Sequence, residues 1–193
     1  MGGILASMAQ DSRLVWIDLE MTGLDPEKCV IVEIATIITE GDLTLVAEGP
    51  CLTIHQPEAA LLAMEPIVTE MHTKSGLIER IRESVVTLEE AAHATRDFIA
   101  EHTQPKSAPL CGNSVWKDKQ FLEKYMQEVC DLLHYRLVDV STMKELVRRW
   151  YPPSFRAPRK REVHRALDDI RESIEELRWY RAKVLTPPTV PDV

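Results

Sequence analysis

The sequence predicts an α/β domain, a mixed β-sheet flanked by α-helices. Three observations lead there. Strand-like runs fill residues 13–55 with only short turns between them. Segments of helical period then alternate with two further short strand-like runs. Short connections make antiparallel neighbours, whereas strands separated by a helical crossover pair in parallel, so one sheet is expected to hold both senses.

Residues 13–20 (RLVWIDLE) form the first strand, apolar at nearly every position until Asp18, as suits a central strand covered on both faces. Met21 to Pro26 supplies a turn in which Gly23 is free to take positive φ and Pro26 fixes its own φ. A second strand covers 29–39 (CVIVEIATIIT), and Glu40-Gly41-Asp42 turns the chain into a third within 43–48 and a fourth within 51–55. This opening reads as an antiparallel meander. Beyond Pro57 the period becomes helical, with helices over 58–64 and 68–74, the second closed by Gly76. Thr87 and Glu90 match a capping box, and the helix they start carries Ala91, Ala94, Thr95, Phe98 and Ile99 on one stripe. After a loop at 105–108, a short buried strand at 109–112 leads to a helix over 117–129. A strand at 136–140 then leads to a helix that Ser141 or Asp139 caps and that ends at Trp150. Pro152, Pro153 and Pro158 break the chain into a loop. Leu167, Ile170, Ile174, Leu177 and Arg181 recur at helical spacing and mark a long last helix. One domain over 13–183 follows, with a short extension at 1–12 and a frayed, proline-rich tail at 184–193.

Composition narrows the function. With 193 residues, 45% of them hydrophobic and 28% charged, the chain can bury one substantial core, and the composition argues against a disordered or fibrous chain. Acidic residues outnumber basic ones 31 to 23, a net charge of −8, which argues against a broadly basic face for long nucleic acid. Carboxylates gathered to hold cations would add to the same excess. No apolar run reaches the roughly 18–20 residues of a membrane span, and the first residues lack the pattern of a secretory signal. The four cysteines, Cys29, Cys51, Cys111 and Cys130, form no CxxC pair, so a reducing cytoplasm fits best.

Asp18 and Glu20 are the sharpest anomaly. Residues i and i+2 of a strand share a face, with Cα atoms about 6.5–7 Å apart. Two carboxylates therefore sit together at the end of a core strand, where burial and mutual repulsion are both costly. A divalent cation between them removes the penalty, and oxygen ligands favour Mg²⁺ or Mn²⁺. The plain alternative is a strand end emerging into water. Asp118 falls in the first turn of a helix, where a carboxylate also complements the helix dipole. His164-Arg-Ala-Leu-Asp-Asp169 opens the last helix. Helical spacing makes Asp168 the neighbour of His164, while an irregular helix entry would let His164 and Asp169 share a cavity. Spacing leaves that choice open.

Together these segments resemble a known family. WIDLEMTGLD at 16–25, GNSVWKDKQFL at 112–122, HYRLVDVSTMKEL at 134–146 and HRALDDIRESIEEL at 164–177 are similar to the oligoribonucleases. These are exonucleases of the RNase H-like fold named for four acidic residues and a histidine (DEDDh). The resemblance spans nearly the whole chain, and the HYR…DVST block separates this group from proofreading exonucleases. It implies that Asp18, Glu20, Asp118 and Asp169 bind two divalent ions, Mg²⁺ or Mn²⁺, and that His164 is the general base. Two such ions can stabilise both the attacking and the leaving oxygen of a phosphoryl displacement, and a histidine can take the water's proton at neutral pH. The implied reaction releases nucleoside 5′-monophosphates from the 3′ end of RNA.

The resemblance further implies a substrate of very few nucleotides, chiefly dinucleotides, and a homodimer. Leu24 would wedge between the bases. Ser114, Arg136, Ser141 and Lys144 would close around the 5′ phosphate, with Tyr135 and Arg136 contributed across the interface. His72 is a candidate substrate contact. Ile67 stands where many bacterial relatives carry a base-stacking tryptophan, which forfeits part of the stacking. The basic segment 156–161, with Arg165 beyond it, is read as a mobile element near His164. Two alternatives compete: an exonuclease trimming long single-stranded DNA at the same metal site, and a catalytically silent RNase H-like binding module.

Overall fold

A computed structural model describes residues 13–158 and 165–185. The expected N-terminal extension, His164, residues 159–161 of the basic segment and residues 186–193 of the tail lie outside the described residues.

Among the described residues, β1 (Leu14–Met21), β2 (Ile31–Thr39), β3 (Leu45–Thr53), β4 (Pro109–Gly112) and β5 (His134–Asp139) form one sheet in the order β3-β2-β1-β4-β5. The β1–β2 and β2–β3 pairings are antiparallel and the β1–β4 and β4–β5 pairings parallel, the mixed sheet that the connections predict. The helices are α1 (Glu58–Leu62), α2 (Pro66–Lys74), α3 (Leu77–Glu83), α4 (Leu88–His102), α5 (Trp116–Tyr125), α6 (Gln127–Cys130), α7 (Val140–Trp150) and α8 (Ala166–Lys183).

Strand alternation divides the core. Val15, Ile17 and Leu19 pack with Ile99, Phe121, Leu122 and Val129 from α4, α5 and α6. Trp16, on the opposite face, packs with Val140, Val147, Ala166, Ile170 and Ile174 from α7 and α8. Its indole Nε1 donates to Thr39 Oγ1 at 3.0 Å, so the buried ring leaves no orphan donor. Because side chains alternate, Asp18 and Glu20 follow Trp16 onto the α8 side. The helices α1 to α3 make a smaller cluster over Val32.

Several local expectations change. The third and fourth strands are one strand, β3, because a register shift opposite Ala35 and Ile37 absorbs Gly49 and Pro50. Proline is tolerated there, on an edge strand at a bulge. A helix at 77–83 was not expected; Gly76, at φ 68°, ends α2 and starts α3, so a single residue hides the boundary. The 117–129 helix breaks at Met126, which has φ −141° and ψ 52°. Gly23 does not take positive φ; its need for glycine comes from crowding, since a Cβ there would lie 2.7 Å from Cys29 Sγ. Asp139 caps α7, accepting from the Ser141 N–H. The capping box forms in full, with Thr87 Oγ1 accepting from Glu90 N–H and Glu90 accepting from Thr87 N–H.

Candidate active site

Asp18 and Glu20 project from the last residues of β1 toward the start of α8, where Asp169 lies in the first turn. One carboxylate oxygen from each of Asp18, Glu20 and Asp169 lies within 4.8 Å of the others. Side chains 149 residues apart in sequence thus share one small volume because the α8 face of the sheet is also the DxE face. Asp118 approaches from the other side of β1. Its Oδ1 accepts from the Leu19 N–H, between the two strand acids, at 3.0 Å, and the residue is buried. The structure therefore brings three of the expected acids into a cluster and sets the fourth beside it.

Electrostatics suit the cluster to a cation. Burial, then the charges of Asp169, Glu33 and Asp118, push the Glu20 carboxyl up to about 8, with Arg80 opposing. Burial likewise lifts Asp118 to about 7 against the pull of the Leu19 N–H. Carboxylates crowded this way hold protons near neutral pH unless a cation replaces them. An all-carboxylate donor set suits a hard divalent ion such as Mg²⁺ or Mn²⁺.

The two adjacent acids of the last helix part company. Asp168 turns outward and pairs with Arg171 at 3.2 Å, while Asp169 joins the cluster. His72, on α2, is fully buried rather than open to a ligand. Its Nε2 donates to the Met21 carbonyl at 2.8 Å, and its Nδ1 lies 3.9 Å from Glu20 Oε2, so it stands behind the strand acid.

Leu24 is 69% exposed on the turn after β1, and Ile67 on α2 is also exposed. A polar group forms beside α7. Ser114, at φ 53°, turns its N–H toward Asp139 Oδ1 and Ser141 Oγ, each at 2.9 Å, and its hydroxyl meets Ser141 Oγ at 3.1 Å. Lys144 Nζ pairs with the buried Glu176 at 3.3 Å. Tyr135 and Arg136 stand exposed on β5, the guanidinium 5.3 Å from the phenol ring centroid.

Other residues shape the site without having been singled out by the sequence patterns. Asn113 donates to Ser173 Oγ at 2.7 Å and accepts from Ser141 Oγ at 3.2 Å. Ser173 in turn donates to the Asp169 carbonyl at 2.7 Å, so the serine group and the helix turn that carries Asp169 are joined. Glu33 lies opposite Glu20 in the β1–β2 register and is buried. Its signal was present as a charge in the middle of an otherwise apolar strand.

Comparison with known proteins identifies the family. A family model described as Exonuclease matches residues 15–177. The human protein "Oligoribonuclease, mitochondrial" is 52% identical over 92% of this chain and 75% of its own length. An oligoribonuclease of Marinobacter nauticus is 51% identical over 90% of this chain and 97% of its own. Among solved structures, Exonuclease I in its apo form superposes with a TM-score of 0.69 at 12% identity, covering 90% of this chain and 43% of that one. Exonuclease I of Methylocaldum szegediense gives 0.67 at 18% identity, covering 90% and 41%. At those identities the likeness concerns the fold, and this chain spans less than half of those longer proteins. With the family model matching most of the chain and near-full-length relatives about half identical, the chain belongs to the oligoribonuclease family of 3′-to-5′ exoribonucleases, on an RNase H-like fold.

Proposed function

We propose that this chain hydrolyses very short RNA, chiefly dinucleotides, from the 3′ end to nucleoside 5′-monophosphates. Asp18, Glu20, Asp118 and Asp169 would hold two divalent cations, Mg²⁺ or Mn²⁺. The observation that carries the reading is the convergence of Asp18, Glu20 and Asp169 oxygens within 4.8 Å. When bound, the cations supply charge neutralisation at the scissile phosphate and favour deprotonation of the attacking water. His164 would accept that proton on its imidazole as the water oxygen bonds to phosphorus and the P–O3′ bond breaks, and the leaving 3′ oxygen of the shortened chain takes a proton from solvent to become an alcohol.

Length selection falls to the polar group beside α7. Ser114, Ser141, Lys144 and Arg136 would bond a terminal 5′ phosphate through charge-assisted contacts that an internal phosphodiester cannot make. A longer chain would meet the same groups as an obstacle, so discrimination comes from exclusion. A dinucleotide needs only this local cationic site, which is consistent with the acidic net charge. Leu24 would separate the bases, with Ile67 packing on one of them. His72 would act on substrate only indirectly, by its place behind Glu20. Tyr135 and Arg136 lie on β5, which gains no further strand among the described residues, and this edge would meet a second copy so that both side chains enter its site. The cytoplasm is the proposed place of action, supported by four cysteines that are all free thiols.

The deciding experiment incubates the protein with 5′-phosphorylated RNA of two to seven nucleotides and Mn²⁺, with and without EDTA. Dinucleotide turnover should exceed all others and vanish with EDTA. Preferential turnover of the seven-nucleotide RNA, or of single-stranded DNA of twenty nucleotides, would reject the length assignment.

A further inference from the structure

Glu33 is a buried charge that the proposed chemistry does not use. It sits in the middle of β2 with 1% of its surface exposed. Both carboxylate oxygens are engaged by other elements. Oε1 accepts from Arg80 Nη1 of α3 at 2.7 Å and from Thr53 Oγ1 of β3 at 3.3 Å. Oε2 accepts from the backbone N–H of Ala166 at 3.1 Å.

Ala166 is the first residue of α8, and the residue ahead of it, Arg165, gives no side-chain cap. A helix start carries unsatisfied N–H groups and the positive end of the helix dipole, so a carboxylate is the group it favours. Here that carboxylate comes from a strand 133 residues earlier in the chain. The orientation it fixes matters because α8 carries two adjacent acids. Successive helical residues are about 100° apart around the axis, so a rotation of that size would exchange Asp169 for Asp168, and a smaller one would already draw Asp169 off the cluster.

We propose that Glu33 is a positioning residue of the active site. As the remote cap of α8 it fixes the helix turn that holds Asp169 against Asp18 and Glu20, while Arg80 and Thr53 hold Glu33 itself. Arg80 therefore serves the site without touching the cluster or the substrate. The inference rests on the reading that these carboxylates bind the cations.

The test combines calorimetric Mn²⁺ binding with kcat and KM on a 5′-phosphorylated dinucleotide. Wild-type protein that neither binds Mn²⁺ nor turns over the dinucleotide defeats the proposed function, not this inference. Glu33→Gln keeps the reach and an oxygen for the Ala166 N–H. Glu33→Asp keeps the charge but falls one methylene short. Glu33→Met with Arg80→Met removes the ion pair without stranding a guanidinium. In the aspartate and double-methionine variants, Mn²⁺ affinity and kcat should each fall at least about tenfold with KM within about threefold, as for groups that orient metal ligands. Glu33→Gln should bind Mn²⁺ more tightly than Glu33→Asp and recover most of the kcat. An aspartate variant equal to or better than the glutamine one overturns the proposal, as does a double-methionine variant that binds Mn²⁺ like wild type. If the double variant does not fold, the order of glutamine and aspartate decides alone.

Discussion

At the scale of residues, neighbouring acids with opposite fates give the most discriminating comparison. Asp169→Asn should lower kcat by about a hundredfold or more, because it removes a cluster carboxylate and with it several kcal/mol of metal-dependent stabilisation. Asp168→Asn should stay within about twofold, since an exposed pair with Arg171 contributes little. Steady-state rates on a dinucleotide separate the two. The same cluster sets a pH dependence. In metal-free protein the Glu20 carboxyl titrates near 8 rather than its usual 4.5, so between those values the folded state binds more protons than the unfolded one. Stability from this group is full below pH 4.5 and is lost as pH rises toward 8, and Asp118 acts in the same direction up to about 7. Melting temperatures in EDTA should therefore fall from pH 5 to pH 8, and saturating Mn²⁺ should reduce that fall, since the cation takes over from the protons. Asp18 and Glu20 were legible in the sequence because charge interrupts an apolar strand at a spacing of two. The choice of Asp169 over Asp168 was not legible from spacing, because it depends on how α8 is rotated by contacts made far away in the chain. Glu33 carried the same interrupted-strand signal as Asp18 but lacks a second acid at i+2, so nothing in the local pattern distinguishes it.

At the scale of elements, local chemistry decided some boundaries and tertiary context the rest. The start of α4 was readable because a capping box is a complete local statement, with both of its bonds inside four residues. Thr87→Ala should cost about 1 kcal/mol in chemical denaturation, the ordinary worth of a lost cap. The continuity of β3 was not readable, because Gly49 and Pro50 signal a break that the bulge against β2 overrides. That glycine also has a tertiary reason to be there. An added Cβ at Gly49 would collide with the Phe98 ring of α4, so Gly49→Ala should destabilise by about 1–3 kcal/mol through overpacking. Thermal or denaturant unfolding checks it. The break at Met126 escaped notice for a similar reason: the apolar period runs on through Val129, and only the fold shows the backbone leaving helical φ and ψ between α5 and α6.

At the scale of the whole molecule, the sheet assigns different work to its two faces and its two edges. One face, under α4 to α6, is mostly apolar packing, while the other lets α8 bring an acid to β1. If Tyr135 crosses to a second copy, two inactive variants should complement each other. Mixing His164→Ala chains with Tyr135→Ala chains should restore roughly a quarter of wild-type activity, since half of randomly paired dimers would hold one intact site of two. Activity that stays at the level of the separate variants would reject the shared site. The edges differ too. A bare strand edge invites addition of another strand, and proline with a bulge spoils that invitation. Pro50 places that obstacle on β3, while β5 lacks a proline but has its own irregularity, Tyr135 and Arg136 lying between the residues that pair with Pro109 and Leu110. Among the described residues both outer strands are thus interrupted, so neither offers a neighbour a long flat row of backbone donors and acceptors. The kink that first looks like a gap between two strands thereby leaves β3 a poor template for a further strand.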